Sequence, residues 1–424
     1  MPTSPTLRVR ELVETRARAA REAARVLAVT SSKVKSEALL QMARGLEEKA
    51  PAILEANRVD LDRARGQGHP RAFLDRLTLT DARIEDMAAG VRQVAALADP
   101  VGETVRMWRR PNGMEVGRVR VPFGVIGFIY ESRPNVTADA AALCVKSGNA
   151  VVLRGGREAL ESNAVIAAIL AKGLEKTGLP PEAIGFIDVP DREAVAVLLT
   201  LDRWVDLLVP RGGEAFVRMV AERATIPVLK HDKGLCHVYV DAGADLGMAT
   251  EIAVNAKVQR PGVCNAMETL LVHREAAPAF LPLVAARLRD AGVELRGCPR
   301  VQALVPWAAA ATDADWDTEY LDLILAVRVV EDFDDAVAHI RAHGSGLAEA
   351  IVTRDYARAR RFLVEVDAAC VLVNASTRLC DGYQFGMGAE LGISTSKLHA
   401  RGPVGVEELT TTKFVVMGSG QLRE

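Results

Sequence analysis

The spacing of apolar residues divides the chain into a helical first part and a longer part in which strands and helices alternate. Between about residues 7 and 98, apolar residues recur at intervals of three and four, as Leu39, Met42 and Leu46 do. That spacing places them on one face of a helix. Thr80 and Asp81 are typical of the N-cap and first turn of a later helix. The sequence therefore predicts helices throughout this first part.

A β-hairpin is predicted after the helices. Two segments with alternating character, 105–111 and 114–121, flank the pair Asn112 and Gly113. Asn-Gly between alternating segments is a strong signal for a tight hairpin turn. The segment 409–417 near the end of the chain predicts one more strand.

Short apolar runs alternate with helical stretches from Gly124 onwards. A first region has predicted strands at 125–130, 150–153, 184–189, 205–209 and 238–240, with helices such as 160–176 and 213–223. A second region has predicted strands near 269–272, 325–330, 348–353 and 370–374. This order is typical of βαβ units, so the fold class predicted is α/β with mostly parallel sheets.

Composition limits the classes of protein to which the chain can belong. With 424 residues, two or three domains are expected. A formal net charge of −2 gives no electrostatic reason to expect nucleic acid or an anionic membrane, and 4% aromatic residues argue against base stacking. The first residues are no apolar signal segment, and no apolar run is long enough to span a bilayer.

The six cysteines indicate free thiols. None forms a C-x-x-C pair, and none lies at zinc-like spacing with the seven histidines. We therefore predict no metal site and a reducing, cytoplasmic setting.

Cys264 is the candidate nucleophile. Pro261 and Gly262 break a helical stretch just before it, and the apolar run 270–272 follows it. The thiol is therefore expected on a loop that leads into a strand. A thiolate there can attack a substrate covalently. The alternative is a small buried hydrophobic residue.

Several motifs resemble the aldehyde dehydrogenase superfamily. They are PFGVIG at 122–127, RPN at 133–135, SGNAVVLR at 147–154, GLAEA at 346–350, VN at 373–374 and FGMG at 385–388. Other motifs narrow the resemblance to the branch that reduces γ-glutamyl phosphate. They are YESRPNVT at 130–137, HDKGLCH at 231–237, RPGVCN at 260–265 and STSKLHARGP at 394–403. The resemblance covers nearly the whole chain.

The resemblance implies an aldehyde-dehydrogenase-like architecture of three domains. They are a Rossmann-type NADP-binding domain of residues 1–105 and 125–232, an α/β catalytic domain of residues 233–402, and a small β flap of residues 106–124 and 403–424. Such a flap leaves a strand edge that a second subunit can complete, so a homo-oligomer is expected. Glutamate kinase is a further candidate partner, because acyl phosphates are labile.

The implied reaction is the NADPH-dependent reduction of L-glutamate 5-phosphate to L-glutamate 5-semialdehyde and phosphate, the second step of proline biosynthesis. The Cys264 thiolate would displace phosphate to form a thioester, which hydride then reduces. Two alternatives stay open. One is a coenzyme-A-dependent acylating aldehyde dehydrogenase, and the other is a cofactor-free thiol acyltransferase or hydrolase.

Asn135 matches the superfamily asparagine whose amide points at the reacting carbonyl oxygen, and the backbone N–H of Cys264 would be the second donor. The superfamily glutamate that activates water is absent from the corresponding segment VLKHDKG at 228–234. Its absence suits a reductase, since such a base would hydrolyse the thioester. The base for Cys264 is left unassigned. His231 is a candidate, and a surface or structural role for it is the alternative.

The resemblance also implies residues for the cofactor. Arg154 and Arg157 suit the 2′-phosphate of NADP, although an Arg-rich solvated loop is the alternative. Gly212 and Gly213 open a helix where the diphosphate could approach. Glu319 matches the glutamate that holds the nicotinamide ribose, with an exposed acid as the alternative.

Three cations close in sequence to Asn135 or Cys264 are candidates for the substrate phosphate. They are Arg133, Lys257 and Arg260. The sequence does not choose among them, and each can equally be a surface cation.

Overall fold

A computed structural model of the chain describes residues 5–131, 133–230 and 233–423. The α-helices are α1 (Pro5–Leu27), α2 (Ser32–Glu48), α3 (Ala50–Gly66), α4 (Arg71–Leu77), α5 (Asp81–Ala96), α6 (Asn135–Lys146), α7 (Leu160–Glu175), α8 (Arg192–Leu198), α9 (Glu214–Arg223), α10 (Leu246–Val258), α11 (Ala277–Asp290), α12 (Pro299–Leu304), α13 (Phe333–His343) and α14 (Tyr356–Glu365). The strands are β1 (Thr104–Arg109), β2 (Glu115–Pro122), β3 (Val125–Tyr130), β4 (Ala150–Gly155), β5 (Ile184–Phe186), β6 (Leu207–Arg211), β7 (Cys236–Val240), β8 (Met267–His273), β9 (Glu294–Gly297), β10 (Ala309–Ala310), β11 (Ile324–Val330), β12 (Ala348–Val352), β13 (Cys370–Val373), β14 (Ile393–Ser394), β15 (Gly402–Pro403) and β16 (Thr410–Met417).

The predicted helical first part is confirmed. Leu39, Met42 and Leu46 all lie on the buried face of α2. Thr80 is the N-cap of α5, and its hydroxyl accepts the Arg83 N–H at 3.2 Å. The apolar spacing and the cap therefore locate these helices correctly, because each helix buries one stripe of its surface.

The chain divides into two compact units. The first comprises the described residues of Met1–Lys230, Gly386–Gly392 and Val404–Glu424, and the second those of His231–Phe385 and Ile393–Pro403.

The first unit contains a parallel sheet in the order β5-β4-β3-β6. Its central strand β3 is buried along its whole length. The carboxyl ends of three neighbouring strands lie side by side, because Tyr130 pairs with both Gly155 and Arg211. Ligands of open parallel sheets bind outside such carboxyl ends. The strand predicted at 205–209 begins later, at Leu207, because the Val205 N–H closes a turn on the Leu201 carbonyl at 2.9 Å.

A small antiparallel sheet in the order β1-β2-β16 also belongs to the first unit. The predicted hairpin is present, since the Arg110 N–H donates to the Met114 carbonyl at 2.8 Å and Gly113 has a φ of 85°. The predicted final strand pairs with β2 along its length.

The second unit contains a parallel sheet in the order β10-β9-β11-β8-β7-β12-β13. Apolar clusters cover both of its faces. The sequence pattern grouped residues 238–240 with the first region, and this was wrong, because β7 pairs with β8 and β12 in the second sheet. Strands β9 and β10 were not predicted, since β9 is short and only partly buried, and β10 consists of two exposed residues.

Within the described residues no helix is long and apolar enough to cross a membrane. The same residues include no group of three or more His, Cys, Asp or Glu side chains placed to hold a metal ion.

Candidate active site

Cys264 lies on the loop between α10 and β8, at the amino end of the second sheet. The thiol residue is half-buried. A turn closes just behind it, where the Ala266 N–H donates to the Val263 carbonyl at 3.0 Å. The predicted loop position is therefore what the structure shows, while the nucleophilic role stays a prediction.

The backbone of Cys264 is held against the segment that enters β7. Any side chain at Gly234 would overlap the Cys264 backbone, so only glycine allows this approach. Next to it, the Cys236 thiol donates to the Cys264 carbonyl at 3.3 Å. Burial raises the pKa of Cys236 well above its ordinary value, so this thiol stays protonated and keeps the bond. These contacts fix the main chain that carries the candidate nucleophile.

Arg378 makes hydrogen bonds to both ends of the same loop, and this residue was not among those predicted from the sequence. Its Nε–H donates to the Gln259 side chain at 2.8 Å, and its guanidinium also donates to the Asn265 side chain. Asn265 in turn donates to the Cys380 carbonyl at 2.8 Å. Arg378 and Asn265 lie 113 positions apart, so no local pattern could relate them.

Lys257 and Glu268 form a buried ion pair that flanks the Cys264 loop. Their Nζ and Oε2 atoms lie 2.6 Å apart, and both side chains are 0% exposed. Burial raises the pKa of Glu268 to about 7 and lowers the pKa of Lys257, with the partner's charge opposing each shift. Lys257 was a candidate for the substrate phosphate. That role stays a prediction and would require this pair to open.

The loop that carries Glu319 is tied to the nucleophile segment at two points. The Glu319 carboxylate accepts the Gly234 N–H at 3.0 Å. The second oxygen of Glu268 accepts the Leu321 N–H at 3.2 Å, where Leu321 has a positive φ of 53°. An uncommon backbone conformation persists only when surrounding contacts hold it in place. The hydrogen bond from Leu321 to Glu268 is one of those contacts.

A prediction follows for the buried pair. Glu268→Leu should lower the free energy of unfolding by about 3–5 kcal/mol, because it leaves the Lys257 charge buried without its partner. The double variant Lys257→Met/Glu268→Leu should recover most of that loss. Urea unfolding of both variants measures this, and a single variant that loses less than about 1 kcal/mol would show that the two side chains are not both ionised in the folded protein.

The first unit carries Asn135 and Arg133 after the carboxyl end of β3. Asn135 is exposed at the start of α6, and its Nδ2 donates to the Asp139 carboxylate at 3.3 Å. Burial raises the pKa of Asp139 to about 6, with the Asn135 contact opposing the rise. Above that pH the carboxylate only accepts hydrogen bonds, which fixes the amide with its N–H groups toward Asp139. Arg133 is half-buried.

The two candidate 2′-phosphate residues differ in their surroundings. Arg154 is 7% exposed, and its guanidinium donates to the carbonyls of Gly155, Pro190 and Asp191. Arg157 is exposed on a short 3₁₀ turn, Arg157–Ala159. An acidic residue, Glu158, directly follows Arg157. The Glu158 side chain folds back against Gly156, where any side chain would overlap it.

Gly212 and Gly213 follow the carboxyl end of β6 and precede α9, as predicted. The Gly213 N–H donates to the Glu131 carboxylate at 3.3 Å, and a β-carbon at Gly212 would lie 2.8 Å from that carboxyl group. An anion therefore already sits at this helix N-terminus, which is where a phosphate is favoured.

The predicted residues thus form one set in each unit. In the second unit, Gly234 links the segments that carry Cys264 and Glu319. Lys257 lies in the last turn of α10, and Arg260 lies on the loop that follows it. In the first unit, Arg154 is the penultimate residue of β4. The other candidate cofactor residues of this unit and Asn135 follow the carboxyl ends of neighbouring strands. His231, the candidate base, lies outside the described residues.

The family model described as "Aldehyde dehydrogenase family" matches residues 6–303 and 308–415. The chain belongs to the aldehyde dehydrogenase family. It is 58% identical to the γ-glutamyl phosphate reductase of Moorella thermoacetica over 97% of this chain and 99% of that protein. It is 55% identical to the γ-glutamyl phosphate reductase of Geobacter metallireducens over 98% of this chain and 100% of that protein.

A solved structure gives the same result for the fold. The crystal structure of γ-glutamyl phosphate reductase from Thermotoga maritima matches with a TM-score of 0.96 and 47% identity, over 97% of this chain and 100% of that one. The aldehyde-dehydrogenase-like α/β fold inferred from the motifs is therefore confirmed.

Proposed function

We propose that the chain reduces L-glutamate 5-phosphate to L-glutamate 5-semialdehyde and phosphate, the second step of proline biosynthesis. The observation that carries the proposal is the 58% identity, over 97% of the chain, with a relative named for this reaction. The half-buried Cys264, held on its loop by Gly234 and Cys236, gives the reaction its nucleophile.

In the proposed first step the Cys264 thiolate attacks the acyl carbon of the substrate. A carbon–sulfur bond forms, and the carbon–oxygen bond to phosphate breaks with its electron pair on the phosphate oxygen. NADPH supplies the hydride that reduces the thioester. Collapse of the resulting hemithioacetal releases the semialdehyde and the thiol.

Both steps place negative charge on the former carbonyl oxygen. The Asn135 amide and the Cys264 backbone N–H are the donors we assign to it. The Asp139 carboxylate takes a hydrogen bond from the Asn135 amide, so the side chain is oriented before substrate arrives. No water-activating glutamate occurs in the segment 228–234, which protects the thioester from hydrolysis.

Aldehyde dehydrogenases use NAD or NADP, and we assign NADPH to this chain. The start of α9 fits a dinucleotide phosphate. The Gly213 N–H there donates to the carboxylate of Glu131, which shows that this N–H is placed to bind an anion. Exposed Arg157 is assigned to the 2′-phosphate, and Glu319 to the nicotinamide ribose. Arg154 supports the loop through three backbone carbonyls.

Arg157→Glu should lower kcat/KM for NADPH by at least about tenfold and leave NADH little changed or improved. A charge-assisted contact of about 1.5–3 kcal/mol is lost and a repulsion is added. Steady-state kinetics with each cofactor measure this. Arg223→Glu is the matched control, because it makes the same charge change at an exposed position at the end of α9. An equal loss of kcat/KM with both cofactors would show that Arg157 supports the structure of its loop and does not bind the 2′-phosphate.

The reaction itself is tested in reverse. Oxidation of glutamate 5-semialdehyde with NADP should require inorganic phosphate. Turnover that needs coenzyme A instead would favour the acylating aldehyde dehydrogenase, and acyl transfer without any nicotinamide would favour the thiol acyltransferase.

We further propose the three domains inferred from the sequence, with the flap built on the sheet β1-β2-β16, whose strand β1 begins two residues before the inferred flap boundary. Exposed apolar side chains on that sheet, including Met107, Phe414 and Val416, suit a homo-oligomer interface. The cytoplasmic setting and a partnership with glutamate kinase remain proposals of the same kind.

A further inference from the structure

Arg378 places a half-buried guanidinium on the loop that carries Cys264. It lies in the 3₁₀ turn Thr377–Leu379, downstream of β13. Its hydrogen bonds to Gln259 and Asn265 connect the two ends of the loop that carries Cys264. Asn265 is the residue next to Cys264. These contacts occupy two of the five N–H donors that a guanidinium carries.

A second arginine belongs to the same loop. Arg260 is exposed four positions before Cys264. Burial lowers the pKa of Arg378, with Asp381 opposing the fall and the charge of Arg260 adding to it. Two like charges beside one loop repel each other, and an anion bound between them relieves that repulsion. This arrangement therefore favours an anionic ligand next to the thiol.

The other cations proposed for the phosphate are less suited to it. Lys257 is 0% exposed and paired with Glu268. Arg133 lies two positions before Asn135, on the segment that we assign to the carbonyl oxygen. Among the described arginines, Arg378 contacts the Cys264 loop through its hydrogen bonds. Arg260 lies on that loop.

We propose that Arg378, together with Arg260, binds the phosphate group of the acyl phosphate and stabilises it as it leaves. This assignment rests on the proposed function. When the Cys264 sulfur bonds to the acyl carbon, the electron pair of the breaking carbon–oxygen bond stays on phosphate, whose negative charge increases. A planar guanidinium donates two parallel hydrogen bonds to such an anion, which a lysine cannot do.

The test separates phosphate binding from support of the loop. Alkylation of Cys264 by iodoacetamide, followed by mass spectrometry, is measured with increasing inorganic phosphate. Wild type should be protected. Arg378→Gln should need about tenfold or more phosphate for half-protection, measured relative to its own alkylation rate without phosphate. Arg378→Lys should show a smaller shift, and Arg260→Gln a shift in the same direction.

Arg287→Gln is the matched control, because this exposed arginine pairs with Glu251 on the helix α10. The proposal is overturned if Arg378→Gln keeps wild-type phosphate protection, or if only its phosphate-free alkylation rate changes. If Arg378→Gln does not fold, unchanged protection in both Arg378→Lys and Arg260→Gln overturns it equally.

Reverse turnover distinguishes this failure from failure of the proposed function. Wild type that oxidises glutamate 5-semialdehyde without phosphate would contradict the function itself. Phosphate-dependent wild type with an unchanged phosphate KM in Arg378→Gln would contradict the assignment of Arg378 alone.

Discussion

Cys264→Ala is expected to abolish turnover and to leave NADPH binding intact. Loss of a covalent nucleophile removes the thioester route entirely, so a fall in kcat on the order of 10⁴-fold or more is expected. The fold should survive, because Cys264 is half-buried and alanine keeps the main-chain contacts to Gly234 and Cys236. Turnover assays and a fluorescence titration with NADPH on the same preparation measure both parts.

Two other thiols of the second unit give the controls. Cys298 is half-buried like Cys264 but lies at the start of α12, so Cys298→Ala should retain activity. Cys236→Ala removes the 3.3 Å bond to the Cys264 carbonyl and should lower the rate only partially. A folded Cys236→Ala variant as inactive as Cys264→Ala would contradict the view that Cys264 alone is essential.

Much of the fold could be predicted because the signals were local. The face of α2, the Thr80 cap and the hairpin at Gly113 each depend on residues a few positions apart. The sheet to which β7 belongs could not be predicted in that way. A buried parallel strand has the same apolar run in either sheet, and its neighbours β8 and β12 come from later in the chain.

The residues of the candidate site also differ in whether a local sequence signal could identify them. Cys264 could be found from its own segment, since Pro261 and Gly262 mark the loop. Arg378 could not, because its link to the loop joins residues 113 positions apart. The Lys257 and Glu268 pair lies within one segment, yet a pattern of charges does not show whether two side chains are buried together or exposed.

The second large effect is expected at Asn135. Asn135→Ala should lower kcat by about 10²–10³-fold, the usual cost of removing one donor to an oxyanion. The loss should appear in kcat more than in KM, because the hydrogen bond strengthens as negative charge develops on the oxygen. Steady-state kinetics with glutamate 5-semialdehyde, NADP and phosphate measure the two parameters separately.

The matched control is Val136→Ala, which truncates the next residue of α6 and leaves the amide in place. Asn135 is exposed, and its described side-chain contact is the 3.3 Å bond to Asp139, so the alanine variant should fold as wild type does. A raised KM with an unchanged kcat would mean that Asn135 binds substrate without favouring the transition state. A kcat loss in Asn135→Ala that Val136→Ala does not share would support the donor role, since both variants remove side-chain atoms from the same turn and only one removes an N–H group.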